Sequence, residues 1–148
     1  MNCFERAMAI KDEITAHRRH IHSNPEVGVQ NPNTRAYVMQ KLKEMGIEAQ
    51  ECGEGATATL GQGDKLILLR ADMDALPIQE KNDLPYASVV PGVMHACGHD
   101  IHTAVLMGTA RVLKDMEGEL KGAIKLFFQP AEEKGGGGRR MIEDGCME

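Results

Sequence analysis

Two apolar runs constrain the fold of this chain more than any other feature. Residues 65–70 contain Leu66-Ile67-Leu68-Leu69, and residues 122–128 contain Ala123-Ile124-Lys125-Leu126-Phe127-Phe128. Strands that are covered on both faces have such runs, without the polar alternation of a half-exposed strand. We therefore predict that residues 65–70 form a strand at the centre of an α/β sheet. Residues 122–128 predict a second strand of the same buried type.

The remaining segments predict helices and one further strand around these two. Helices are predicted at residues 4–22, 32–45, 101–116 and 138–144, and a short strand at residues 56–60. Pro25 follows the first helix, Pro32 begins the second and Gly46 ends it, as these residue types commonly do. The order α-α-β-β-α-β-α predicts a mixed α/β layer fold, with its chemistry at the ends of strands and in the loops that follow them.

Length, charge and cysteine usage exclude several classes of protein. A chain of 148 residues is one domain at most, and its net charge of −5 without a long basic run argues against a nucleic-acid partner. No apolar run approaches the roughly 20 residues of a membrane-spanning helix, so no membrane partner is expected. The four cysteines are scattered, and the first residues do not form a secretory signal. We predict a cytoplasmic protein.

The nine residues Met94–His102 combine one thiol, three imidazoles and one carboxylate. In extended backbone the side chains of Cys97 and His99 point the same way, so that both can bind one ion. His95 has the same parity, and His102 faces back along the first turn if a helix begins there. A single buried cysteine or histidine usually only packs, but four such groups in one segment favour a transition-metal site.

Two acidic pairs follow the two apolar runs. Glu132 and Glu133 are adjacent, so in extended backbone they point in opposite directions, which suits one to bind metal and the other to reach the attacking water. By itself such a pair would be a solvated turn, but its place after a buried strand favours the chemical interpretation. Asp72 and Asp74 share a face at the end of the first strand. These two aspartates could orient a metal-bound imidazole, or they could only end the strand and cap the turn before Pro77. The sequence favours neither interpretation over the other.

Four segments of the sequence together resemble a known enzyme family. They are Arg18–His22 with Pro25-Glu26, Arg70–Pro77, Met94–His102 and Phe128–Glu133. In this order they resemble the N-acyl-amino-acid amidohydrolases of bacteria and plants: hippurate hydrolases, aminoacylases, N-acetyldiaminopimelate deacetylases and indole-acetyl-amino-acid hydrolases. These belong to the larger group of di-metal aminoacylase/carboxypeptidase enzymes. The resemblance implies a three-layer, mixed-sheet catalytic domain of the di-metal aminopeptidase/carboxypeptidase type.

The resemblance also implies a reaction and a role for each site residue. Cys97, His99 and Glu133 would be metal ligands. Glu132 would be the general base toward the water that the metal activates, and Asp74 a supporting catalytic residue. The reaction would be hydrolysis of the amide bond of a small-molecule N-acyl amino acid. The cofactors would be two divalent ions, manganese or zinc, since thiolate and imidazole favour zinc while carboxylates tolerate manganese.

Members of that family are more than twice as long as this chain. Residues 1–148 are therefore expected to be the N-terminal part of the catalytic metallohydrolase domain, incomplete at the C-terminus. The inserted domain, the later histidine ligands and any homo-oligomer contacts would belong to the full-length form. Such a part should leave an unpaired sheet edge or exposed apolar surface. The alternative function is a truncated, non-catalytic metal-binding or interaction module.

Overall fold

The computed structural model of this chain describes residues 1–147, so that Glu148, the last residue of the predicted domain, lies outside the described residues. The helices are α1 (Cys3–Ala9), α2 (Lys11–Ser23), α3 (Pro32–Glu44), α4 (His99–Asp115) and α5 (Gly137–Glu143), with a 3₁₀ turn at Glu117–Glu119. The strands are β1 (Ala49–Cys52), β2 (Gly55–Leu60), β3 (Leu66–Asp72) and β4 (Ala123–Gln129).

The four strands form one mixed sheet in the order β1-β2-β4-β3. β1 pairs with β2 and β2 with β4 in antiparallel fashion, whereas β3 and β4 are parallel. The parallel register runs from Leu66 opposite Ala123 to Asp72 opposite Gln129. The carboxyl ends of β3 and β4 therefore lie side by side at one edge of the sheet, which is where ligands bind in open α/β sheets.

Helices cover both faces of the sheet and make the three layers that were predicted. α3 and α4 pack on one face, and α2 packs on α4. Leu126 and Phe128 of β4 belong to the main core on this face, together with Leu42 and Met107. Phe127, which alternates with them, packs on the other face with Met141 of α5. The alternation of side chains along β4 thus joins the sheet to both helical layers.

Two local predictions were wrong. The helix predicted at residues 4–22 is two helices, because Ile10 leaves the helical conformation with φ −107° and ψ 15°. The acidic residues Asp12 and Glu13, in the first turn of α2, are the sequence signal for that second start. β1 was not predicted because its segment, Ala49–Cys52, is polar and mostly exposed, and it forms only by pairing with β2.

The position predicted for β3 was also wrong. Within residues 1–147 this strand lies at an edge of the sheet, and Leu66, Ile67 and Leu68 are exposed. An apolar run favours a strand whose two faces are covered. It does not indicate whether that strand lies at the centre or at the edge of the sheet. The expectation of an unpaired, apolar sheet edge is confirmed by the same strand.

We find no membrane-spanning candidate among the helices of residues 1–147, since none combines the length and the apolar character that crossing a bilayer requires.

Candidate metal centre

The ends of the two parallel strands bring four carboxylates to one edge of the sheet. Asp72 ends β3 and Asp74 follows it, while Glu132 and Glu133 follow β4. The backbone continues the pairing beyond the strands, since the N–H of Met73 donates to the carbonyl of Gln129 at 2.8 Å. Both acidic pairs lie at strand ends or in the loops that follow them, as predicted, and the parallel pairing of β3 and β4 brings the two pairs to the same edge.

Asp74 connects the two strand ends to α4. Its buried carboxylate accepts hydrogen bonds from the backbone N–H of Glu132 at 2.9 Å and from that of Glu133 at 3.1 Å. Its backbone carbonyl lies 2.7 Å from Nδ1 of His99, the first residue of α4. Asp74 therefore orients an imidazole and also holds the turn after β4, a contact that was not predicted.

The ring of His99 is buried and presents Nε2 to the carboxylates. Because Nδ1 donates its proton to the Asp74 carbonyl, Nε2 of the neutral ring carries the lone pair that a metal can use. Nε2 lies 3.6 Å from Oδ1 of Asp72, 3.9 Å from Oε2 of Glu132 and 3.9 Å from Oε1 of Glu133. Two ligand atoms that share a tetrahedral ion at about 2.1 Å lie about 3.4 Å apart. The spacing therefore fits a divalent ion.

Cys97 joins His99 and Glu133 in one possible ligand set. The three ligand atoms Sγ, Nε2 and Oε all lie within 4.8 Å of one another. The predicted extended backbone between Cys97 and His99 was wrong, since Gly98 has φ 89°, in the left-handed region. A Cβ at Gly98 would meet nothing within 4 Å, so the conformation and not space favours glycine here.

The surroundings of Cys97 act against ionisation of its thiol. Its hydrogen bond to Glu133, its partial desolvation and the charges of the neighbouring carboxylates raise its pKa. A protonated thiol is a poor ligand, and a divalent ion would have to displace its proton. The donor set of a thiol, an imidazole and a carboxylate is nevertheless the type that zinc sites use.

Asp72 and His102 form a second possible ligand set with His99, again within 4.8 Å. Nδ1 of His102 lies 2.7 Å from Oδ1 of Asp72, and Nη1 of Arg70 lies 2.9 Å from Oδ2. Burial acts to raise the pKa of Asp72, but the hydrogen bond to His102 and the charges of His99 and Arg70 outweigh it, and the pKa is lowered. Asp72 is thus a carboxylate kept ionised beside the same imidazole.

The prediction that Glu132 and Glu133 point in opposite directions was wrong. Both carboxylates reach the same atom, Nε2 of His99, at 3.9 Å. Ala131 before them has φ 50°, so the backbone turns instead of extending. The side chain of Glu132 is 41% exposed and that of Glu133 is 28% exposed. Glu132 is the more open to water of the two.

More than half of the chain, residues 68–148, matches the pattern of Peptidase family M20/M25/M40. The chain belongs to this family. It is 46% identical over 143 residues to the N-acetyl-L-cysteine deacetylase of Bacillus subtilis. This match covers 94% of this chain and 34% of the deacetylase. The chain is 47% identical over 152 residues to the hippurate hydrolase of Campylobacter jejuni, a match that covers the whole chain and 39% of that protein.

A solved structure in the M20 family has the same fold. The crystal structure of the YXEP protein of Bacillus subtilis, a dinuclear metal-binding peptidase, superimposes with a TM-score of 0.90 at 40% identity. The match covers 95% of this chain and 41% of that one. The M20 chain therefore spans between a third and two fifths of the length of the relatives that it matches.

Within residues 1–147, His95 belongs to neither of the two possible ligand sets, although its parity suggested that it could. The ring is buried, and among the described residues neither nitrogen has a hydrogen-bond partner. Burial lowers the pKa of His95 to about 4, so that the ring is neutral at pH 7.

A buried polar network behind His99 was not predicted. Nδ1 of His22 lies 2.7 Å from Oδ2 of Asp100, and Nε2 lies 3.1 Å from Oε1 of Glu80. Nε of Arg18 donates to the same Asp100 oxygen at 2.8 Å. This network ties α2 to the N-terminus of α4, where His99 lies. The only signal in the sequence is the position of Asp100 directly after His99.

Proposed function

We propose that this chain supplies the metal-binding part of an enzyme that hydrolyses the amide bond between an acyl group and an amino acid. The observation that carries the proposal is the convergence of Cys97, Glu132 and Glu133 on Nε2 of His99. The names of the relatives support the substrate class, since one deacetylates N-acetyl-L-cysteine and another hydrolyses hippurate.

In this proposal residues 1–148 are the N-terminal part of the catalytic metallohydrolase domain. The support is that the match covers 94–100% of this chain, whereas the relatives are between two and a half and three times as long. The inserted domain and the further ligands would come from the remaining length. Homo-oligomer formation would likewise be a property of the full-length form.

Cys97, His99 and Glu133 hold the metal in this proposal, as two divalent ions in the complete site. The dinuclear centre of the related B. subtilis peptidase supports the number of ions. Thiolate and imidazole favour zinc, and the surrounding carboxylates also suit manganese. When bound, such an ion polarises the amide carbonyl and lowers the pKa of water.

The protein's own groups provide the proton transfer and the alignment. Glu132, the more exposed carboxylate, takes the proton of the attacking water and returns it to the departing amine. Asp74 holds Glu132 and Glu133 through their backbone N–H groups, so that the backbone of this turn does not have to be ordered when substrate binds. His99 is kept in one tautomer by the Asp74 carbonyl.

An apolar cavity beside the site suits the acyl group. A volume of about 240 Å³ is lined by Val27, Leu76, Pro77 and Ile78, and the charged residues Asp74, Glu133 and Lys134 also line it. An apolar acyl chain in this cavity would place its carbonyl next to the carboxylates, and the polar amino-acid part would face outward. This arrangement favours acyl groups larger than acetyl.

A cytoplasmic location is part of the proposal. It is supported by the four cysteines, all of which are free thiols in the described structure.

The test is metal content and turnover in the complete product of the gene. The protein is loaded with zinc or manganese, its metal is counted, and hydrolysis of N-acetyl and N-benzoyl amino acids is measured. We expect two ions per protein and turnover, with the benzoyl substrates hydrolysed faster. Metal binding without turnover on any substrate would instead support a non-catalytic metal-binding module. A protein that binds no metal would contradict both functions.

A further inference from the structure

Two buried cysteines meet on the face of the sheet that α5 covers. Cys52 ends β1 and is 6% exposed, while Cys146 follows α5 and is 3% exposed. The two belong to one apolar cluster with Phe127 and Met141. Both cysteines approach the carbonyl of Met141, although 94 positions separate them in the sequence.

Short contacts hold both cysteines at the end of α5. The Cys52 thiol donates to the carbonyl of Met141 at 3.3 Å, and the N–H of Cys146 donates to the same carbonyl at 3.1 Å. The N–H of Gly53, next to Cys52, donates to the carboxylate of Asp144 at 2.8 Å. Because both cysteines are anchored to one carbonyl, their side chains lie in the same small region, as a disulfide requires.

We propose that Cys52 and Cys146 form a reversible disulfide bond with each other. The oxidant is a low-molecular-weight disulfide such as oxidised glutathione, and the bond between the two cysteines locks α5 to β1. One protein thiol loses its proton to water, and its sulfur attacks the reagent and expels one glutathione thiolate. The second protein thiol, also deprotonated, then attacks the protein sulfur of the mixed disulfide and expels the second glutathione. The protein is oxidised by two electrons, and the reagent is reduced to two thiols.

The surface gives a small reagent access to this pair. A cavity of about 380 Å³ is lined by both cysteines, and a second cavity of about 510 Å³ is lined by Cys52 alone of the two. Cys52 is thus the thiol that the reagent meets from both sides. Cys146 is the more deeply buried and is placed to resolve the mixed disulfide.

The lock would act on the segment that carries the candidate general base. α5 begins directly after the turn at Glu132-Glu133, and the N–H of Gly137 donates to the carbonyl of Ala131 at 3.2 Å. A side chain at Gly137 would collide with the carbonyl of Pro130, so α5 is packed closely on this turn. A disulfide at the other end of α5 restricts the same segment.

The test is peptide mapping of the intact protein after incubation with oxidised glutathione. Trypsin releases Cys52 in the peptide Glu44–Lys65 and Cys146 in the peptide that begins at Met141. We expect these two peptides to be joined, with a mass two hydrogens below their sum, and to separate on reduction. Cys52→Ser and Cys146→Ser should each abolish the joined species.

Cys3 is exposed, lies outside the candidate metal centre and reports in the same digest whether the reagent was active. If Cys3 is glutathionylated while Cys52 and Cys146 remain free thiols or pair with other cysteines, the proposal is wrong. Amide hydrogen exchange tests the lock itself: exchange in residues 137–146 should be slower after oxidation in the wild type and unchanged in Cys52→Ser. Equal exchange before and after oxidation in the wild type would show that the disulfide does not restrain α5.

Discussion

The carboxylate of Asp74 accepts a hydrogen bond from the backbone N–H of Glu132 at 2.9 Å, across 58 positions of the sequence. A second bond from the neighbouring N–H of Glu133 uses the other carboxylate oxygen. Asp74 is 1% exposed, so these bonds form away from water. The direction of both glutamates therefore depends on an anion at position 74.

Asp74→Asn should destabilise the chain and weaken metal binding. The amide nitrogen of asparagine is a donor, so that it would face one of the two N–H groups and leave it unpaired in a buried place. We expect the free energy of unfolding to fall by about 2–4 kcal/mol, as measured in urea. Asp64→Asn, in an exposed turn, is the control and should change it by less than about 0.5 kcal/mol. Equal stability of the two variants would remove the structural role of Asp74.

Glu132→Gln should separate metal binding from catalysis in the complete gene product. Glutamine keeps the size of the side chain but cannot take a proton from water. We expect full metal content and a turnover number about 100-fold lower or more. Glu48→Gln, at an exposed position outside the site, should keep both. Unchanged turnover in Glu132→Gln would exclude this residue as the general base.

Cys97→Ala should lower both metal content and turnover, since it removes a ligand and not only a proton carrier. Titration calorimetry should show a weaker affinity for zinc. Because zinc prefers thiolate ligands, the affinity for zinc should fall more than the affinity for manganese. Cys3→Ala, also an exposed cysteine, is the matched control and should bind as the wild type does. Full zinc occupancy in Cys97→Ala would count against ligation by this thiol.

The place of the site could be predicted from the sequence, but its geometry could not. Asp74 and Glu132 each follow an apolar strand, and parallel strands end at the same edge of a sheet, so their meeting follows from local pattern alone. The turn that brings Glu132 toward His99 depends on the positive φ of Ala131 and on hydrogen bonds to Asp74. Neither is visible in residue spacing.

Long-range polar pairing was the other feature beyond the reach of the sequence. His22 lies 78 positions from Asp100 and 58 from Glu80, and no periodicity relates them. A histidine near the end of a helix has an ordinary local explanation, because it can interact with the helix C-terminus. Only the packing of α2 against α4 reveals that its ring is a bridge.

The stability that Cys52 contributes should decrease at alkaline pH. Burial, followed by the neighbouring Cys146 and Asp144, raises the pKa of the Cys52 thiol from 9.0 to about 11. Below pH 9 the thiol is neutral in both folded and unfolded states, and its contribution is fully present. Between pH 9 and about 11 the unfolded chain releases the proton while the folded chain retains it, so that stability is lost as the pH rises.

The measurement is the difference in unfolding free energy between the wild type and Cys52→Ala at a series of pH values. We expect this difference to be constant below pH 9 and to shrink toward pH 11. The corresponding difference for Thr59→Ala, at an exposed position without a titratable side chain, should stay constant. A constant difference for Cys52→Ala over the whole range would show that the thiol ionises equally easily in both states.

The exposed edge of β3 should make the 148-residue chain self-associate. Ile67 is 61% exposed on a strand whose outer edge has no partner within residues 1–147, and such edges pair with other chains. A lysine there would have to bury its charge in any paired edge, so that Ile67→Lys should shift the chain toward monomer in sedimentation velocity. Val89→Lys removes an apolar side chain that is 71% exposed in a loop, and it should leave association unchanged. If both variants associate as the wild type does, the contact between copies lies elsewhere than on β3.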